Sequence, residues 1–211
     1  MADSLEAAAI LERALGYPYA APGRSFLYRG GEALDLPDGG LDLDGRTPLL
    51  SYGANAAPEA LARKLASLPG LELPVLRAEL EGFDVVYSAH VSPYGAVPAT
   101  LHESAGTTAP VFVLHPTPEQ LALLTASEPN YDLVEVDGID AYRSKHRPLE
   151  LDGSAVALAA VRSAGRTLPA LDEPAILEHV RAHLEPQLSL EQFIRASIAR
   201  GGRSFPSLSS P

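Results

Sequence analysis

With 211 residues, 46% of them hydrophobic, the chain has enough apolar material for one ordinary domain with its own core. A formal charge of −11 with no basic run excludes a nucleic-acid surface, which needs clustered Lys and Arg. The absence of cysteine excludes disulfides, thiolate nucleophiles and Cys-ligated zinc or iron–sulfur centres.

The first residues, Met1 to Glu6, lack a basic region leading into an apolar stretch, so no signal peptide is expected. No apolar run approaches the roughly 20 residues needed to cross a bilayer. A cytoplasmic protein with no membrane and no nucleic-acid partner is the expectation.

Ser4 is suited to cap a helix from Leu5 to about Leu15, which Gly16 stops. Residues 17–47 are rich in Gly, Pro and Asp, with short edge strands at Phe26–Tyr28 and Ala33–Leu36; segment 1–47 reads as a helix and arm packed on a domain. Pro48–Tyr52 predicts a buried strand, and Pro58 opens a helix to about Leu68. Strands are expected at Leu73–Leu80, Phe83–Val91, Val97–His102 and Val111–His115, with turns at Glu81-Gly82, Pro93-Tyr94-Gly95 and Gly106-Thr107-Thr108. Thr117-Pro118-Glu119-Gln120 has the form of a capping box; its helix should end near Glu128, because Pro129 disfavours helical geometry in the residue before it. Tyr131–Val136 and the apolar run Ala155–Val161 are read as further strands. Two helices follow, Glu173–Leu184 and Leu190–Arg200, and the Ser-, Gly- and Pro-rich segment 201–211 reads as a flexible tail. Short strands interrupted by single helices predict an α+β fold, a mixed or antiparallel β-barrel with peripheral helices over residues 48–161 and two helices within 162–200. Regular βαβ alternation is missing, which argues against a doubly wound sheet.

Two constellations can carry chemistry. Tyr52-Gly53-Ala54-Asn55 is a strand end running through Gly into a helix; glycine lets a ligand approach the backbone, and free N–H groups before a helix suit an anion. Read alone, the same four residues also suit a plain strand-to-helix turn with an Asn cap. Glu128 stands at the end of an apolar helix, where the macrodipole disfavours an acid, and this makes it a candidate for acid/base work. Read alone, it is better taken as an exposed helix-end Glu. His179 and His183 lie four apart on a helix, but no Glu follows His179 and no third ligand has a useful spacing, so a solvated face is expected and no metal. No nucleophile elbow, phosphate loop or dinucleotide fingerprint occurs, and no cofactor is implied.

Taken in order, these pieces resemble the γ-glutamylcyclotransferase-like family. Its opening strand ends in Tyr-Gly-Ser-Asn, matched here by Leu50-Ser51-Tyr52-Gly53-Ala54-Asn55. A later strand, turn and strand align with Gly95–Leu101, Gly106-Thr107 and Val111–Leu114. The family's Leu-Asp-x-x-Glu at a helix end, followed by a Tyr that begins a strand, is matched by Leu124-Thr125-Ala126-Ser127-Glu128 and Tyr131. The resemblance covers about residues 48–161. It departs at Ala54, where the family has Ser, at Thr125, where it has Asp, and at Pro129, where it has Gly. It implies a cofactor-independent cyclisation of a γ-glutamyl amine to 5-oxoproline and a free amine. In that implied site Glu128 is the acid/base, Tyr52, Gly53, Ala54 and Asn55 form the anion-binding loop, and Tyr131 lines the pocket. The implied partner is a small molecule. A non-catalytic binding or interaction module on the same fold is the alternative.

Overall fold

The computed structural model describes residues 2–68, 70–206 and 208, with side chains from residue 8 onward. Helix α1 (Ala2–Leu15) leads through Tyr17 into a short hairpin of β1 (Phe26–Arg29) and β2 (Glu32–Leu34). Strand β3 (Leu49–Ser51) ends in a single 3-10 turn, Ala54–Ala56, and then α2 (Pro58–Lys64). Two long strands follow, β4 (Leu73–Tyr87) and β6 (Ala99–Leu114), with the two-residue β5 (His90–Val91) between them. Helix α3 (Pro118–Ala126) precedes the hairpin β7 (Tyr131–Val136) and β8 (Ile139–Ser144). Short strands β9 (Glu150–Leu151), β10 (Ser154–Ala155), β11 (Ala157–Leu158) and β12 (Ala170–Leu171) lead to α4 (Glu173–Leu184), α5 (Leu190–Ala199) and β13 (Arg203–Ser204). The class is α+β.

The main sheet holds nine strands among the described residues, in the order β12-β11-β4-β6-β3-β8-β7, with β1 also on β4 and β2 on β1. It is mixed: β3–β8 and β11–β12 are parallel and the other pairs antiparallel. Its end strands β12 and β7 do not pair with each other among the described residues.

Several sequence expectations need correction. Glu81-Gly82 and Gly106-Thr107-Thr108 do not reverse the chain. Gly82 (φ +77°) and Gly106 (φ +79°) sit within β4 and β6, where the register jumps from Glu81↔Thr108 to Phe83↔Glu103. Each positive φ bends its strand at the same level, and a Ser104–Thr107 hydroxyl contact of 2.8 Å closes the bulged side, so the ladder continues past the irregularity. Helix α2 stops at Lys64, one turn before Leu68. Helix α1 begins at Ala2, so Ser4 lies within it, and its side chain lies outside the described residues. The segment read as a flexible tail is packed as far as its described residues go: β13 pairs with β5, and Phe205 and Leu208 are buried. Residues 207 and 209–211 of that tail lie outside the described residues.

Two cores organise the helices. The larger gathers Tyr87, Val97, Leu101 and Val111 of the sheet region with Ile176, Leu177 and Val180 of α4 and Phe193 and Ile194 of α5, and Ala14 and Tyr17 close it from the N-terminal side. The smaller packs Leu61 and Leu65, in and just after α2, and Leu124 of α3 against Phe26, Leu49, Leu73 and Leu114. Burying those three leucines in one cluster brings the end of α2 beside the residues just past α3. No helix among the described residues is long and apolar enough to cross a membrane.

Candidate active site

Local sequence fixes both helix ends. Thr117 caps α3: its hydroxyl accepts from Gln120 N at 3.3 Å, and its own N–H donates to Gln120 Oε1 at 2.9 Å, the reciprocal pair of a capping box. Helix α3 then ends at Ala126 with Ser127 as its cap, and Glu128 lies just beyond. Pro58 starts α2 at its first position, and Lys64 ends it as the seventh residue. There the two segments meet. Lys64 Nζ donates to Glu128 Oε1 in a short ion pair and to Asn55 Oδ1 at 2.6 Å. Asn55 Nδ2 donates to the same Glu128 oxygen at 3.0 Å. The result is a closed ring of three side chains. Lys64 and Glu128 are only 19% and 16% exposed, so the pair is shielded more than an ordinary surface bridge.

A cavity of about 510 Å³ opens over this ring, within the usual size of a small-molecule site. Tyr52, Gly53, Ala54, Asn55, Glu128 and Tyr131 all line it. The N–H groups of Gly53, Ala54 and Asn55 precede the 3-10 turn's own bonds (Ala56 N to Gly53 O, Ala57 N to Ala54 O) and make no hydrogen bond among the described residues. Gly53 is required by a close approach: a Cβ there would stand 2.7 Å from the Tyr17 hydroxyl oxygen. That hydroxyl accepts from Ala99 N at 2.8 Å, and Tyr131 donates its own to Ala99 O at 2.8 Å. One backbone residue thus anchors two tyrosines of the wall. Tyr52 donates to the Tyr142 carbonyl, and the Tyr142 hydroxyl meets Thr125 Oγ1 at 2.7 Å. Thr125 therefore serves to fasten a wall tyrosine.

Burial raises the hydroxyls of Tyr17, Tyr52, Tyr94 and Tyr131 above the ordinary phenol range, so all four stay neutral. Nearby negative charge on Glu128 pushes Tyr52 further the same way. The wall can offer neutral hydroxyls and backbone donors, with one carboxylate and one ammonium at its base. Behind it, Glu173 at the start of α4 accepts from Val97 N at 2.6 Å and holds the loop that carries Tyr94. Burial lifts that carboxyl well above the usual carboxylate range. His90 also lines the cavity, with Nδ1 3.0 Å from Ser88 Oγ.

Sequence reasoning missed Lys64, Tyr17, Tyr94 and Tyr142. Tyr17 sits in the N-terminal arm and Lys64 in a helix recognised by its opening Pro58. Their partners are 64 residues away for Lys64–Glu128 and 82 for Tyr17–Ala99, and no local pattern reports such pairings. His179 and His183 lie exposed on α4, and among the described residues no group of three or more His, Asp or Glu could hold a metal. Comparison with protein-family models, with curated proteins and with solved structures yields no match to this chain, so the functional reading rests on the geometry of the site and on the sequence motifs.

Proposed function

We propose that the chain is a γ-glutamylcyclotransferase-like enzyme that cyclises a γ-glutamyl amine to 5-oxoproline and releases the amine. The observation that carries this reading is the convergence of Glu128 and the Tyr52–Asn55 loop, 73 residues apart in sequence at Asn55–Glu128, on one cavity with Tyr131. We also read the bulged β4–β6 ladder and the strands beside it as the wall of that family's barrel.

The nucleophile in this reaction is the substrate's own α-nitrogen, so the protein need only fold the substrate, move protons and stabilise charge. The α-ammonium gives up one proton to the Glu128 carboxylate, and the amine attacks the γ-carbonyl carbon. The developing oxyanion is met by the N–H groups of the Gly53–Asn55 loop. Glu128 returns its proton to the leaving nitrogen, and the old C–N bond breaks. A second proton passes from the ring nitrogen to the departing amine by the same route. The ring nitrogen keeps one hydrogen as the lactam N–H, and the amine leaves as its ammonium. No cofactor takes part.

The test is release of 5-oxoproline from a panel of γ-glutamyl amines. Glu128→Gln keeps size and polarity but cannot carry the proton; turnover is expected to fall about 100-fold or more. An equally active Glu128→Gln ends the acid/base assignment. A second reading, a non-catalytic small-molecule binder on the same fold, is favoured by two observations: Lys64 already engages Glu128, and Ala54 brings no hydroxyl to the loop. A wild-type protein that binds a ligand in the cavity and releases no 5-oxoproline from any amine in the panel decides for the binder.

A further inference from the structure

Glu128 presents two different oxygens. Oε1 receives both Lys64 Nζ and Asn55 Nδ2. Oε2 makes no hydrogen bond among the described residues, and Glu128 lines the cavity. Asn55 is itself locked, because its Oδ1 accepts from Lys64 at 2.6 Å while its Nδ2 donates to Glu128. With both ends of its amide spent inside the ring, Asn55 has little left for a ligand in this arrangement. Lys64 is the one cation of the ring, bonded to both Asn55 Oδ1 and Glu128 Oε1. It is held there because Leu61, one turn before it in α2, and Leu65, the residue just after the helix, are buried in the smaller core. The remaining titratable groups facing Glu128 are the hydroxyls of Tyr52, Tyr94, Tyr131 and Tyr142, which are neutral; Tyr17, Tyr19 and His90, also neutral, and Arg13 and Arg63 line the same cavity. Arg63 pairs with Glu59 and lies over the Tyr19 ring, and Arg13 lies over the Tyr94 ring, so neither guanidinium is bonded to Glu128.

We propose that Lys64 is a positioning residue: with Asn55 it fixes Oε1 of Glu128 and balances the carboxylate charge, leaving Oε2 as the oxygen that exchanges protons with the substrate. This rests on the cyclisation reading above and extends it to a residue outside every motif of the family resemblance. A carboxylate free to rotate would present either oxygen at varying angles. One pinned at Oε1 presents Oε2 alone, in a single orientation, which is what repeated proton transfer between two nitrogens of one substrate requires. The ion pair leaves the base of the cavity neutral overall, a suitable floor for a substrate that carries an ammonium and a carboxylate together.

The experiment compares Lys64→Met, Lys64→Gln and Lys64→Arg with the wild type, with folding of each checked by circular dichroism. One readout is the pH profile of 5-oxoproline release. The other is a carbon NMR titration of the Glu128 carboxyl in glutamate-labelled protein without ligand, assigned with Glu128→Gln. In the two neutral variants kcat falls by about 10- to 100-fold with little change in KM. The acid limb of the profile and the NMR midpoint both move to higher pH, because the favourable neighbouring charge is gone. Lys64→Arg keeps the midpoint near that of the wild type while recovering only part of kcat, since a planar guanidinium cannot repeat the ammonium's geometry. If the neutral variants leave both the profile and the midpoint unmoved, or if Lys64→Arg titrates as they do, the assignment is overturned. If the wild type releases no 5-oxoproline, the cyclisation reading falls, and with it the protonic role of Oε2. The NMR midpoint then decides the pairing alone: a shift upholds Lys64 as the group that sets the carboxylate, and its absence removes that too.

Discussion

A methyl group on Gly53 would meet the Tyr17 hydroxyl oxygen at 2.7 Å, closer than carbon and oxygen settle in folded proteins, and that hydroxyl is tied to Ala99 N. Gly53→Ala is therefore expected to cost about 1–3 kcal/mol in urea unfolding, the usual scale of overpacking in a buried site. Tyr17→Phe removes the clashing oxygen at the cost of leaving Ala99 N without its acceptor. The double variant should then be less destabilised than the two single changes summed, and strict additivity would show that the two residues are not in contact. Position 54 behaves differently. Its side chain borders the cavity as a methyl, so a hydroxyl at Ala54 changes what the loop offers a ligand and leaves the backbone geometry that Gly53 dictates untouched.

At the level of elements, what the chain disclosed locally it disclosed well. The Thr117/Gln120 capping box and the two C-terminal helices follow from neighbouring residues alone, and so do the buried strand that ends at Ser51 and the strand that begins at Tyr131. Strand β8 was not foreseen, because Ile-Asp-Ala-Tyr-Arg-Ser is polar for a strand. The signal lay just before it: Asp137 (φ +51°) and Gly138 (φ +77°) make the two-residue Asp-Gly connection of a tight hairpin. Gly82 and Gly106 misled for the opposite reason, since one positive-φ residue facing a bulge bends a strand, whereas reversal needs a whole turn. Composition misjudged the tail. Gly201 and Ser204 are exposed, yet Arg203 and Ser204 complete the edge of β5, and two apolar side chains enter the larger core. Ending the chain at Gly202 should cost about 3 kcal/mol or more, through loss of the buried Phe205 and Leu208, in urea unfolding. An unchanged midpoint would restore the tail to a passive role.

Across the molecule, buried ionisable groups tie stability to pH. His90 is 2% exposed, and burial first, then neighbouring His146, hold its titration down to about 3. The unfolded chain binds that proton near the ordinary value of about 6.5. Below that pH the unfolded state holds more protons than the folded one, so acid favours unfolding. Stability contributed by neutral His90 is full above about pH 6.5 and declines toward pH 3, by about 1.4 kcal/mol per pH unit at most. Thermal scans between pH 7 and 5 should show this slope, and His90→Gln should flatten it; an identical slope in the variant assigns the acid sensitivity elsewhere. Asp84 acts further down the scale. Its burial opposes ionisation, but hydrogen bonds from Arg166, Ser163 and the Val85 N–H outweigh it and keep its carboxyl below the usual range. The stability it lends is present above the ordinary carboxylate range and is lost as the pH falls below it.

The cavity draws Tyr17 from the N-terminal arm, Tyr52 and Asn55 from the turn after β3, Glu128 from beyond α3, and its supporting Glu173 from α4. No short stretch of the chain holds enough of these groups to grip a small molecule, so a ligand that bridges them binds the folded chain and not the unfolded one. Binding and folding are then thermodynamically linked, and each tenfold excess of free ligand over its dissociation constant adds about 1.4 kcal/mol to the unfolding free energy. The melting temperature becomes a detector of the true ligand, one that responds whether or not any bond is made or broken.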